Sequence, residues 1–189
     1  MLLLGERETV RTEESGQDRK RLRRELREQD RISAKLAELH AVDSLLADAS
    51  HIIERGWLQH GWFSYVDPSG ASHTVTTYTR RTERTVDLRQ VTSTCLVGGI
   101  VHAAGGPSQA RSQLVQRSID VTWHAAFRGQ HQLVRWCPSP PERAGHVIDL
   151  AHWNDHPDRT AGETVALLDR ARGLARAEAE LTRRRDLAV

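Results

Sequence analysis

From Gln17 to Arg55 the chain has neither glycine nor proline, and strong helix formers fill most positions. A run of that length is too long for a strand and lacks the breakers that would divide it into turns. Its apolar residues, Leu22, Leu26, Ile32, Leu36, Leu39, Val42, Leu46, Ala49 and Ile53, are spaced mostly by three or four, which draws a stripe along a helix. The stripe fits one long helix or two. In the second case Asp43 restarts the helix, its carboxylate capping the free amides of a first turn. Gly56 ends the run and reads as a left-handed C-terminal cap. Residues 5–18 are polar and aperiodic and are expected to be a frayed or disordered tail.

After Gly56 the pattern changes period. Trp62, Phe63, Tyr65 and Val66 precede Asp67-Pro68-Ser69-Gly70, and Ser72–Thr79 follows, so that aromatic and β-branched residues flank a Pro-Gly turn, which predicts a β-hairpin. Residues 80–90 are charged and read as a loop or exposed strand end, and Val91–Thr94 as a short strand. Cys95–Ala104 is an apolar, small-residue helix with Thr94 near its start, stopped by Gly105-Gly106-Pro107. A helix is predicted over Ala110–Phe127, with Leu114, Ile119, Val121, Trp123 and Phe127 available to pack. The proline cluster within 128–143 reads as a loop, and His146–Trp153 as a short helix. Thr160 and Glu163 form a capping box that opens a last helix to about Arg184, with Val165, Leu168, Ala171, Leu174 and Leu181 on one face. The fold class is α+β: a mainly helical domain with a small β-hairpin over 43–189, preceded by a tail and basic helical arm over 1–42.

Composition narrows the classes of protein this can be. Of 189 residues 38% are apolar and 28% charged, with a net charge of +2 and a mean hydropathy of −0.56. No apolar run approaches a membrane span, and no charged leader precedes an apolar stretch, so neither a membrane anchor nor a secretory signal is expected. Two cysteines, Cys95 and Cys137, are too few for a disulfide framework. They read as reduced thiols of a cytoplasmic protein.

Three pieces carry a family resemblance: Ile52-Ile53-Glu54-Arg55-Gly56-Trp57, then Cys95-Leu96-Val97-Gly98-Gly99-Ile100, then Trp153-Asn154-Asp155 followed by Arg159-Thr160. In this order they resemble a group of small actinobacterial and phage proteins recorded as a domain of unknown function. The resemblance covers roughly residues 43–175. It implies a helix ending in Gly-Trp, a Cys-x-x-Gly helix and a Trp-Asn-Asp turn, and it implies no activity.

Four groups of residues invite chemistry. Cys95 lies where a helix begins, a position that can acidify a thiol; His102, His124 and His152 are candidate bases and Asn154 a candidate orienting residue, as in cysteine hydrolases or transferases. The simpler reading, a small buried cysteine beside Gly98 and Gly99, is preferred. His146, His152, His156 and Cys137 suggest zinc, but Pro157 breaks the alignment of the histidine pair, and neither metal nor cofactor is expected. Trp57, Trp62, Trp153, Asn154 and Asp155 either line a ligand pocket or, more simply, anchor and close a turn between two helices. Finally Arg19, Arg21, Arg23, Arg24, Arg27 and Arg31, with Lys20 and Lys35, form a basic run against Glu25, Glu28 and Asp30. That run fits a solvated face, an acidic partner or a phosphate backbone. The expectation is a non-enzymatic binding or regulatory module working through protein contacts. Its N-terminal helix either pairs with a second copy or docks on its own domain. The alternatives are a hydrolase or transferase centred on Cys95 and a nucleic-acid-associated protein using the arm.

Overall fold

A computed structural model describes residues 5–76, 87–128, 134, 136 and 138–186, with side chains described from Gly16 onward. One helix, α1, runs unbroken over Gly5–Arg55. Residues 5–18 are therefore helical rather than a frayed tail, because lengthening an existing helix avoids the nucleation penalty that a separate segment would face. The helix does not restart at Asp43. That carboxylate faces the last helix instead, accepting hydrogen bonds from Arg172 Nε (2.9 Å) and Arg176 Nε (3.0 Å).

The chain then forms β1 (Phe63–Val66), β2 (Ser72–Val75) and β3 (Val91–Thr94), an antiparallel sheet in the order β2-β1-β3. The hairpin follows the turn chemistry of the sequence: Asp67 Oδ1 accepts from the backbone N–H groups of Ser69 (2.8 Å) and Ala71 (3.0 Å). Residues 77–79 of the expected second strand, and 80–86 after it, lie outside the described residues. Phe63, opposite both Val75 and Thr94, turns inward and is fully buried.

Helices α2 (Leu96–Ala103), α3 (Gln113–Phe127), α4 (Pro140–Asn154) and α5 (Ala161–Asp186) complete the fold. The core forms where α1 meets them: Leu46 and Ile53 pack with Leu96, Ile100, Ile119 and Leu168. Against α1, α5 runs antiparallel, since Lys35 meets Glu178 while Asp43 meets Arg172. Its end lies level with Glu28, which borders the same groove as Arg185 and Asp186. The helix α1 continues beyond that point without cover from any described element.

The structure corrects several boundaries. Helix α4 starts at Pro140, inside the stretch read as a loop. Prolines fit a first helical turn, whose amides need no intrahelical partner, and Ser139 with Glu142 forms a capping box there (Ser139 N to Glu142 Oε2, 2.6 Å). Helix α3 begins at Gln113, capped by Ser112, and α2 is capped by Cys95. Gly56 has no left-handed φ. Its lack of a side chain serves proximity instead, since a Cβ would lie 2.0 Å from the Thr92 carbonyl oxygen of β3. Leu181 and Phe127 are exposed rather than packed; the buried face of α5 passes through Ala171, Ala175, Ala179 and Thr182. The Thr160–Glu163 box is as expected, with Glu163 N donating to Thr160 Oγ1 at 3.2 Å and Thr160 N donating to Glu163 Oε2 at 2.9 Å.

Candidate functional site

The three resemblance motifs meet at one side chain. Asn154, the last residue of α4, is fully buried. Its Oδ1 accepts from the Trp57 indole N–H (2.9 Å) and from the Leu96 backbone N–H at the head of α2 (3.0 Å). Its Nδ2 donates to the Leu58 carbonyl (3.1 Å) and to Asp155 Oδ1 (2.9 Å). One amide thus links the Gly-Trp segment, the cysteine helix and the Trp-Asn-Asp turn. A buried amide with both of its ends engaged is favourable, whereas one stripped of partners would be costly. Gln59 strengthens the link by donating Nε2 to the carbonyls of Asn154 (3.1 Å) and His156 (2.7 Å). Beneath the turn, the Arg159 guanidinium lies 3.7 Å from the centre of the Trp153 ring while its Nε donates to the Trp153 carbonyl.

A cleft of about 340 Å³ opens beside this link, bordered by His60, Trp62, Thr76, Cys95, Asn154 and Asp155. Gly98 lets α2 approach the strand leading into the sheet, because a Cβ there would lie 2.2 Å from the Trp62 carbonyl oxygen. Asp155 Oδ1 holds the backbone N–H of His60 (2.9 Å), and Oδ2 stands 3.6 Å from the imidazole Nδ1. Among the described residues His60 is the one non-glycine with a left-handed backbone, at φ 58°.

At the floor of this cleft Cys95 is buried, and its sulfur accepts the Gly98 backbone N–H at 3.3 Å. Burial pushes the thiol up to about 11, and the nearby Asp155 carboxylate adds to the rise. The expected bases are elsewhere. His102 sits seven residues along α2 from Cys95, roughly 10 Å at helical rise, and burial holds it below the ordinary imidazole range, with Arg55 contributing. His152 is exposed on α4, and His124 lies against a different cluster on α3. The imidazole that shares the cleft with Cys95 is His60. Nothing in its spacing from the cysteine marks it, since a tertiary contact between a loop and a helix leaves no periodic signal. Of the three tryptophans read as pocket walls, Trp62 borders the cleft together with Asn154 and Asp155. Trp57 reaches Asn154 through its indole N–H, and Trp153 stacks under Arg159.

A second polar cluster, unforeseen in the sequence, joins α3 to α4. The fully buried Asp120 carboxylate accepts from Arg143 Nε (3.1 Å) and bonds His146 Nδ1 (2.9 Å), and Trp123 stacks on that imidazole at 4.1 Å. Burial raises the Asp120 carboxyl, with His146 and Arg143 pulling it back. Among the described residues no three of His, Cys, Asp and Glu converge so as to hold a metal ion, and Cys137 lies outside those residues.

Residues 37–174 match the sequence model of a family of unknown function (DUF6197), a span that takes in α1 from its docked part onward, the sheet, the Asn154 link and most of α5. The chain belongs to that family. No curated protein and no solved structure matches it. The DUF6197 region contains the cleft and both polar clusters, while the basic residues Arg19, Arg21, Arg23, Arg24, Arg27 and Arg31 all precede it. All six are exposed; Arg19, Arg21, Arg23, Arg24 and Arg27 lie on the part of α1 that extends past α5, and Arg31 lies beside the last turn of α5. No helix among the described residues is long and apolar enough to cross a membrane.

Proposed function

We propose that this chain is a non-enzymatic, cytoplasmic binding module that works through protein contacts, with the N-terminal part of α1 as the contacting element and a second copy as its partner. The observation that carries the reading is the exposure of Leu22 (56%) and Leu26 (51%), one turn apart on the stretch of α1 that no other described element covers. A helix of this kind has little stability in water by itself, and pairing its apolar strip with another helix supplies the missing packing. The step from Leu22 to Leu26 is short, so the contact is a local seam rather than a long coiled coil.

The condition of Cys95 supports a non-enzymatic reading. Its sulfur is buried and its protonated form is favoured, burial and Asp155 outweighing the Gly98 N–H that pulls the other way, and a nucleophile needs an accessible thiolate. A thiol reagent is expected to label Cys95 slowly in the native protein at neutral pH. Rapid single-site labelling would favour the hydrolase or transferase alternative.

The main test is mass in solution, by sedimentation equilibrium. The full chain is expected to sediment as a dimer, and Leu22→Glu/Leu26→Glu as a monomer that keeps the cooperative melting transition of the core while losing helix signal from the arm. A full chain that remains monomeric at the highest attainable concentration would remove the proposed pairing.

A further inference from the structure

The cations of the arm are ordered. Arg19, Arg23, Arg27 and Arg31 recur every four residues, and Lys20 and Arg24 repeat that step one position on. On a helix of 3.6 residues per turn these six fall within a sector of about 140°. Leu22 and Leu26 lie on the flank beside that sector, and Asp18, Glu25 and Glu28 lie on the far side together with Arg21. A single carboxylate, Asp30, sits inside the sector, near one end. All six cations are exposed. Among the described residues Arg19, Lys20, Arg23, Arg24 and Arg27 have no ion-pair partner, whereas Arg21 is held by Glu25 at 2.8 Å and Arg31 by Glu28 at 3.5 Å. The last turn of α5, with Arg185 and Asp186, lies beside Glu25 and Glu28 and so leaves the ridge face uncovered. Residues 19–31 hold seven of the 27 basic residues and three of the 25 acidic ones, so the excess charge is local to the arm.

We infer that this ridge binds the phosphate backbone of duplex DNA without reading its sequence. The inference goes beyond the protein-contact reading and uses a different face of the same helix. Successive rungs of the ladder stand about 6 Å apart along the axis, and a duplex offers one charge per roughly 1.7 Å over its two strands, so phosphates are dense enough for several long side chains of the ridge to reach one. The guanidinium fork suits phosphate oxygens, and neutralising several of them releases counterions. Between Gln17 and Arg31 there is no Phe, Tyr, Trp or His on which the bases of a single strand could stack. The stretch from Gln17 to Arg31, with two leucines and no aromatic residue, is also poorly equipped to anchor in a bilayer.

Fluorescence anisotropy of a labelled duplex of arbitrary sequence, titrated with the full chain over a series of salt concentrations, tests this. Binding is expected at low salt, with log affinity falling against log salt at a slope of about −4 to −5, the value for five or so phosphates. Arg19→Gln/Arg23→Gln/Arg27→Gln is expected to weaken binding by about tenfold or more and to reduce the magnitude of the slope by about three. Arg111→Gln/Arg128→Gln/Arg170→Gln, an equal loss of exposed charge elsewhere, should stay within about twofold of the parent. Four results would overturn the inference: no binding at low salt, equal losses in the two triple variants, a single strand of the same length binding as tightly, or phosphatidylcholine/phosphatidylserine vesicles competing the protein off the duplex. The dimer mass of the ladder variant separates the two readings, because losing three arginines should not disturb the Leu22–Leu26 seam. Duplex binding by a protein that proves monomeric would leave this inference standing and the pairing refuted.

Discussion

Between Ile32 and Ile53, α1 is packed against α5 and the inner helices; from Gln17 to Arg31 the same helix has every residue exposed. Both stretches are free of breakers and rich in charge, so helix propensity does not separate them. Two other things do. The docked stretch carries Leu39, Val42, Leu46, Ala49 and Ile53 at spacings that meet the apolar face of α5 and its neighbours, while the projecting stretch offers Leu22 and Leu26 alone. The charges also differ in reach. In the docked stretch they cross to α5, as Lys35 does to Glu178 and Asp43 to Arg172 and Arg176; in the projecting stretch they close within the helix, as Arg21 does with Glu25. A helix can therefore be one piece in geometry and two pieces in energetics.

The contrast is open to challenge by substitution. Leu46→Ala, in the fully buried stripe, is expected to cost about 2–5 kcal/mol in urea denaturation. Leu22→Ala should stay within about 0.5 kcal/mol when the protein is dilute enough to be monomeric. Equal effects would dissolve the distinction between the two stretches. Asn154→Ala is next, at about 2–4 kcal/mol, because it strips the buried Leu96 amide and the partly buried Trp57 indole and Leu58 carbonyl of their partner. A loss much below 1 kcal/mol would mean that water replaces the amide at little cost.

Asp43→Asn sharpens the comparison of charges. Burial alone would raise this carboxyl, but the hydrogen bonds from Arg176 and Arg172 hold it below the usual range. The group is partly solvated, so the expected loss at neutral pH is about 1 kcal/mol or less. Glu25→Gln in the arm should cost less still, and a double comparison of the two by thermal melting would detect a reversed order.

The smallest effect is expected from pH. His102 and His124 are both held below the ordinary imidazole range, first by burial, then by Arg55 for the former and by His146 and Arg128 for the latter. The folded chain takes up these protons at lower pH than the unfolded chain does. Their stabilising contribution is complete above about 6.5 and declines as pH falls through that value toward the folded pKa. Melting temperature should therefore drop between about pH 7 and pH 5, and His102→Gln/His124→Gln should flatten that drop. The arm, which has no histidine between residues 16 and 31, should show no such dependence in its own binding.

The sequence exposed the elements more readily than it exposed the site. Periodicity found α1, the hairpin, the short third strand and α2, since each is a local pattern of apolar or β-branched residues. It missed the start of α4, where Pro140 and Pro141 read as breakers although the Ser139–Glu142 pair marks a helix opening. It also misread Gly56, whose reason lies in a strand that follows it by more than thirty residues in the chain. The motif residues were noticed, yet their meeting at Asn154 was invisible, because hydrogen bonds across that distance leave no spacing rule. His60 escaped notice for the same reason. The cluster at Asp120 depends on two helices docking, and only the docked structure pairs its carboxylate with Arg143 and His146.

The link at Asn154 bears on how the chain reaches its native state. Its bonds to Leu96 and Trp57 span 58 and 97 residues, so neither can close before the end of α4 has come back to the middle of the chain. Closing loops of that size carries an entropic penalty that must be met before these bonds contribute, which assigns them to the late side of the folding barrier. Removing the amide should then leave the refolding rate nearly as it was and speed the unfolding rate, the pattern of a contact absent from the transition state. On that account Asn154 governs how long the native molecule lasts more than how quickly it forms.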